Sequence, residues 1–370
     1  MTADARGARH LYVHLPFCSS RCGYCAFVVE VGALDRRDAY LDALLAELEL
    51  ERGRLGPLES VFLGGGTPTL MRPRRLARLM ERVRPLLAPG AEVTVEANPE
   101  TVDRAAFDAL LEMGVTRVSL GVQSFQPHVL EALDRQATAD QAREAVACAR
   151  RAGFRDIGID LLFGVPGQTP ADLARDLAEA LEAAPDHLSW YELELKPGSA
   201  LARRGTEPVD EDEAADAYRW LVGSLEAAGY RWYETANFAR PGHECRHSLG
   251  YWNAEDYLGV GVGAVSTIAG ERWRNAPGLP RYLDALGAGD TPPRTGEHLD
   301  GDDIRRERWM LGLRLERGLS MAWSGPPDHP EAVDRLQRAG LVARHDDTLV
   351  LTREGRFVQN AILHELMEYA

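Results

Sequence analysis

No run of apolar side chains in the 370 residues approaches the ~20 that a membrane-spanning helix needs. The opening stretch, MTADARGARH, lacks the apolar core of a secretory leader. A cytoplasmic location without a transmembrane segment is therefore expected. Positive charge is also short: 42 Lys and Arg stand against 57 Asp and Glu, a formal charge of −15. That balance argues against nucleic acid or an anionic membrane as partner, because both recruit excess cations. Cysteine is scarce and odd in number, at five, so the chain is not a disulfide scaffold. Aromatics reach only 7%, while 45% hydrophobic and 27% charged residues are ordinary for a globular chain. Its length suits one large α/β domain with a smaller companion, or two to three ordinary domains.

The few cysteines are not scattered. YVHLPFCSSRCGYCAF (12–27) places three at C-x₃-C-x₂-C, and Cys148 and Cys245 stand alone. Iron–sulfur and zinc sites usually take four protein ligands. A zinc knot could recruit His14 as the fourth, although this spacing is not typical of zinc knuckles. Three unrelated core cysteines fit poorly in a loop containing Ser19, Ser20, Arg21 and Gly23. A 4Fe–4S cube held by three thiolates leaves one iron free for the amine and carboxylate of an amino-acid-like ligand. Cys148, on a helical pattern beside Val146 and Ala149, reads as core.

Short β-type runs alternate with helical stretches. The strand candidates are YVHLP (12–16), SVFLGG (60–65), EVTVEA (92–97), TRVSLGV (116–122), DIGIDLLFG (156–164) and HLSWYELEL (187–195), with a weaker YRWYETANF (230–238). Such alternation implies βαβ units around a parallel sheet, and six units favour a complete or partial barrel. Ligands then sit at the carboxyl ends of the strands. GGGTPT follows the second strand, Glu96 ends the third, Gln123 ends the fourth and Asp160 lies in the fifth. Glycine there lets the backbone approach a ligand closely, and Glu96 could accept hydrogen bonds from a ribose, as acidic residues do in other nucleotide sites. The expected organisation is a barrel over 1–238, a connecting segment over 239–299 and a small winged-helix-like α+β appendage over 300–370. The connecting segment reads as loop with short strands. The appendage reads as helix, helix, β-hairpin, helix.

These motifs resemble the radical S-adenosylmethionine (SAM) superfamily. More narrowly they are similar to the branch that holds oxygen-independent coproporphyrinogen III dehydrogenase and the heme chaperone HemW. The stretches that carry the resemblance are YVHLPFCSSRCGYCAF, FLGGGTPTL, VTVEANPE, SLGVQSF, GIDLLFGVPGQT, YETANFARPGHECRH and YWNAEDYLGVGVGA, in order along nearly the whole chain. The resemblance implies an α/β fold, a partial (β/α)6 TIM-type barrel with the C-terminal appendage. It implies that Cys18, Cys22 and Cys25 hold a 4Fe–4S cluster whose fourth iron takes SAM. Tyr12 would lie beside the cluster, Gly65, Gly66 and Thr67 along the methionine part of SAM, and Glu96, Gln123, Arg135 and Asp160 at the remaining SAM contacts.

Within this branch the dehydrogenase carries a further cysteine two places after the third, where this chain has Phe27. The C-x-F form resembles the heme chaperones. Those proteins have an H-N-x-x-Y-W motif connected with heme binding. His247, Tyr251 and Trp252 match it, with Ser248 in place of Asn, and His243 and Cys245 are neighbouring alternative ligands. Ala26 stands where relatives often have Asp. The implied function is a heme chaperone that binds heme, a 4Fe–4S cluster and SAM and delivers heme as cargo to heme-accepting proteins, with an electron donor for the cluster. The alternative is a radical enzyme acting on coproporphyrinogen III.

Overall fold

The computed structural model describes residues 7–368. Six parallel strands form its centre: β1 Ala8–Leu15, β2 Leu55–Gly65, β3 Leu87–Ala97, β4 Arg117–Gln123, β5 Ile157–Phe163 and β6 His187–Glu192. They lie side by side in chain order. A doubly wound sheet reverses its strand order at a switch point; this one does not, and its helices return each strand to the next as in a barrel. They are α1 Arg37–Glu51, α2 Pro73–Val83, α3 Arg104–Glu112, α4 Ala139–Ala152, α5 Pro170–Ala183 and α6 Glu211–Ala227. The strand ladder does not close among the described residues, so the barrel is partial.

Local sequence sets the helix ends. Thr138 and Thr169 each accept from a backbone N–H three residues on, while the side chains of Gln141 and Asp172 reach back, a capping box at each start. Gly153 ends α4 with φ 115°, in the left-handed region where a side chain would be strained. Apolar strand residues such as Val61, Leu63, Val93, Val95, Val118 and Leu120 pack outward against the helices in one continuous core. The alternate residues turn inward and are mostly polar: register pairs His10 with Ser60 and Ser60 with Glu92, Tyr12 with Phe62 and Phe62 with Thr94, Glu96 with Ser119, and Asp160 with Ser189.

The stretch 230–238 is a tight hairpin rather than one strand: β7 Arg231–Glu234 and β8 Asn237–Ala239 turn over Ala236 at φ 74° and pair antiparallel at the β6 edge. The segment beyond it is more regular than a loop. Helix α7, Arg246–Trp252, enters under the sheet, and β9 Tyr257–Val260 runs parallel to β1. Three antiparallel strands, β10 Val265–Ile268, β11 Glu271–Asn275 and β12 Arg294–His298, extend the same sheet to twelve strands. These pieces escape periodicity because β9 has four residues and α7 seven, too few to show a repeat.

Residues 301–366 build helices Gly301–Gly312 and Pro330–Arg338, a three-stranded sheet and two terminal helices around a separate core centred on Trp309, Leu336 and Leu363. This unit is pinned to the barrel by Arg356, whose guanidinium lies 3.7 Å from the ring centre of Trp232 and donates to the Trp232 carbonyl.

Candidate cofactor cleft and motif helix

The carboxyl ends of β1–β5 open into a cleft lined by Cys18, Cys22 and Cys25, Gly65, Gly66 and Thr67, and Glu96, Gln123, Arg135 and Asp160. Ten residues singled out from the sequence thus share one wall-to-wall site. Tyr12 is one layer deeper: its hydroxyl donates to His14 Nδ1 at 3.0 Å and its ring stacks on Phe62. Asn98, Ser119, Arg21 and Tyr24 also line the cleft. They lie within the quoted motifs, but nothing in their residue type marks them apart from structural neighbours.

The three thiols are free and half-buried. Arg135 Nη1 donates to Cys22 Sγ at 3.3 Å and Thr67 Oγ1 to Cys18 Sγ at 3.7 Å. Burial pushes the Cys18 thiol up to about 11 and raises Cys25, so thiolates here need cationic metal beside them. Among the described residues no three His, Cys, Asp or Glu groups converge on a single ion. His14 is also spent. Its Nε2 faces the Val28 carbonyl at 2.8 Å and must donate, leaving Nδ1 to accept from Tyr12. A mononuclear Cys₃His zinc site is therefore not what this loop builds; three thiols around one cleft fit a multi-atom cluster.

The glycines are needed for fold and approach together. A side chain on Gly65, at φ 112°, would strike the His14 ring at 2.5 Å, and one on Gly66 would strike the Pro16 carbonyl at 2.7 Å. Gly66 N and Thr67 N bond to Leu15 O and Phe17 O, locking the glycine run to the root of the cysteine loop. Gln123 reaches the cleft through a register slip in β4 that puts it at φ 70°, an unusual conformation for a residue with a side chain. Glu96 accepts from Gly65 N at 3.0 Å; burial, then the nearby Asp160, lift it to about 7. Asp160 is raised too, by burial, and accepts from Ser119 and Ser189. Arg135 is half-buried, and its Nη2 donates to Asn98 Oδ1 at 3.0 Å.

Beside the cleft a chamber of about 430 Å³ shares Tyr24, Cys25, Phe27, Glu96, Ser119, Gln123 and Asp160 with it and reaches down to Cys245 and Ser248 of the motif segment. The predicted heme residues divide here. His247 is 1% exposed and stacks on Phe62 with ring centres 5.2 Å apart. A file of hydrogen bonds holds it: Tyr251 OH to His247 Nε2 at 2.9 Å, His247 Nδ1 to Ser60 Oγ at 2.8 Å, Ser60 to His10 Nδ1 at 2.8 Å, and His10 Nε2 to Glu255 at 3.1 Å. Since Glu255 only accepts, one direction satisfies every member, and the Nε2 lone pair of His247 accepts from Tyr251. Burial drives this imidazole down to about 3. Glu92 fixes the helix start by accepting from the backbone N–H of Arg246 and His247 at 3.1 and 3.2 Å. Trp252 faces the other way, into a surface cleft with Trp323 and Arg317.

A cysteine triad above a partial barrel, with glycines and carboxylates at the strand ends, defines a radical SAM protein. Residues 12–180 match the model of the radical SAM superfamily, and residues 299–358 match that of the HemN C-terminal domain. The heme chaperone HemW of Mycobacterium tuberculosis is 40% identical, over 96% of this chain and 94% of the relative; that of Bacillus subtilis is 32% identical, over 95% and 97%. The solved structure of coproporphyrinogen III oxidase (HemN) from Escherichia coli superposes with a TM-score of 0.87 at 26% identity, covering all of this chain and 92% of that one. The chain belongs to the HemW family of radical SAM proteins.

Proposed function

We propose that this protein is a heme chaperone: it binds heme as cargo, carries a 4Fe–4S cluster with SAM, and passes heme to heme-accepting proteins. The observation that supports this most is near-full-length similarity, at 40% identity, to a protein named a heme chaperone. Cys18, Cys22 and Cys25 hold the cluster in this reading, and Phe27 occupies the place of the dehydrogenase's extra cysteine. When bound, the cluster and SAM supply one-electron chemistry, with electrons from a separate donor. Arg135 steadies the Cys22 sulfur, Gly65, Gly66 and Thr67 admit the methionine part, and Glu96, Gln123 and Asp160 surround the rest of a cationic nucleoside. Tyr12 and His14 support the floor through their mutual hydrogen bond.

His247, Tyr251 and Trp252 are assigned to heme with one structural condition. The lone pair that iron would need is taken by Tyr251, so ligation by His247 belongs to a form in which the imidazole has parted from the Tyr251 hydroxyl. No described helix is long and apolar enough to cross a membrane, and the working location is the cytoplasm. Anaerobically reconstituted protein titrated with heme should show a saturable Soret change, and His247→Ala should alter that spectrum. An unchanged spectrum removes His247 as ligand. Absence of heme binding by the wild type, with protoporphyrinogen formed from coproporphyrinogen III, reductant and SAM, replaces the chaperone reading by the enzymatic one.

A further inference from the structure

Few large apolar side chains of this protein face solvent, yet two of them flank one opening. Phe27, 67% exposed, and Tyr191, 42% exposed, both line the chamber beside the cofactor cleft. Phe27 ends the cysteine loop and Tyr191 lies near the carboxyl end of β6, so the rings come from different elements around the barrel mouth. Lys196 lines the same chamber. It is the only lysine in a chain whose other basic residues are all arginine. Among the described residues its ammonium pairs with the exposed Glu194, at 3.2 Å. The other acids lining the chamber are Glu192, raised by burial, and Glu96 and Asp160. An ammonium on a flexible stem is a compact charge that can follow a carboxylate on a mobile arm, where a guanidinium demands a planar, two-pronged partner. The exposed Phe27 ring and the half-exposed Tyr191 ring, whose hydroxyl turns inward to Ser189 and Asn237, offer flat π-surface. The chamber behind them continues down to Cys245 and Ser248 of the motif segment.

We propose that this rim is a seat for a tetrapyrrole: Phe27 and Tyr191 take the ring, and Lys196 pairs with one of its carboxylates. The seat rests on the heme reading for its natural occupant, but it recognises the macrocycle and its acid arm rather than the iron. It differs from the H-x-x-x-Y-W motif in being open to solvent without any movement of α7. Cargo seated there lies between the cysteine loop and the segment that bears His247, so its entry route passes the cluster.

The test uses anaerobically reconstituted protein, with heme followed by absorbance and metal-free protoporphyrin IX by fluorescence. Tyr191→Ala, Lys196→Glu and the Phe27→Ala/Tyr191→Ala pair are compared with Trp220→Ala, an exposed aromatic outside this chamber. The paired aromatic variant should weaken both porphyrins about tenfold. Lys196→Glu should weaken protoporphyrin but not its dimethyl ester, and Trp220→Ala should change nothing. Because Phe27 adjoins the cysteines, Tyr191→Ala and Lys196→Glu judge the proposal where iron content of the paired variant falls. Unchanged affinities in those two variants overturn the seat and leave heme binding intact. Rim-dependent protoporphyrin binding without heme binding sustains the seat and removes the heme reading. A wild type that binds neither overturns both.

Discussion

The barrel interior has two ends that are finished in opposite ways. At the upper end the polar groups face a cleft: three thiols are free, Arg135 Nε lacks a hydrogen-bond partner among the described residues, and the half-buried carboxyls of Glu96 and Asp160 lie near each other with raised pKa values. At the lower end every polar atom of the motif histidine is spoken for, and Phe62 covers its face. Buried polar groups ordinarily find partners inside the protein. The motif histidine follows that rule; Arg135 at the upper end departs from it, as do Thr94 Oγ1 and His187 Nδ1 in the chamber between. The contrast separates a site built to receive something from a motif that must open before it can.

The sharpest way to break the comparison is to remove one thiol. Cys22→Ala should take reconstituted iron from about four per chain to near background, because a three-thiolate cluster has no spare ligand. Melting temperature of the metal-free protein should barely move, since the side chain is only half-buried. His247→Ala should leave iron at the wild-type level. Iron assay and sulfide assay decide it; a Cys22→Ala protein with a full cluster would disconnect this loop from metal.

At the lower end the expected effect falls on stability. Ser60 bridges two buried imidazoles at 2.8 Å each. Ser60→Ala strands one nitrogen on each ring and should cost about 1–3 kcal/mol, measured by denaturant unfolding of the apoprotein. Paired with His247→Phe, the loss should be well below the sum of the two single changes, because the partners share one network. Additive losses would mean that the file of hydrogen bonds is not a unit.

A smaller effect, about tenfold, separates the ends by pH. Burial, with Asp160 nearby, lifts Glu96 to about 7. Its raised value means that the fold favours the protonated acid, so this group makes stability fall as pH climbs from its ordinary 4.5 toward 7. A sulfonium cofactor prefers the carboxylate. SAM affinity should therefore rise about tenfold between pH 6 and 8, one unit of pKa being a factor of ten, and the thermal shift that SAM produces should be larger at pH 8. Glu96→Gln should bind more weakly at pH 8 and with a flat profile. His247, at about 3, stays neutral through this window and contributes nothing to the slope.

Legibility in the sequence followed the same division. The upper end could be read because its chemistry sits on short contiguous motifs at strand ends: the cysteine spacing, GGGTPT, Glu96 and Asp160 needed only the βαβ alternation to be brought together. Gln123 needed a β-bulge to reach the cleft, and Arg135 had to come back from a loop beyond β4; neither turn has a periodic signature. The lower end could be named but not oriented. H-x-x-x-Y-W places His247 and Tyr251 one helical turn apart, and that spacing lets Tyr251 occupy the imidazole nitrogen. Its partners Ser60 and His10 lie on strands about 190 and 240 residues earlier, contacts that only the barrel register creates. Phe27 is the reverse case: read as a missing cysteine, it proves to be a bare ring at the chamber mouth.

The smallest expected effect tests whether the lower end opens. Tyr251→Phe keeps the ring and its edge contact with Tyr257, with centres 4.6 Å apart in the wild type, but removes the hydroxyl that donates to His247 Nε2. The freed lone pair sits on a buried, neutral imidazole, the form that ligates iron. If His247 binds heme after parting from the Tyr251 hydroxyl, the closing hydrogen bond taxes that step by about 0.5–1.5 kcal/mol. Tyr251→Phe should then bind heme about two- to tenfold more tightly or faster, with the same low-temperature ligand spectrum as the wild type. Weaker binding together with a changed spectrum would instead make the Tyr251 oxygen the iron ligand, and the histidine the residue that holds it ready.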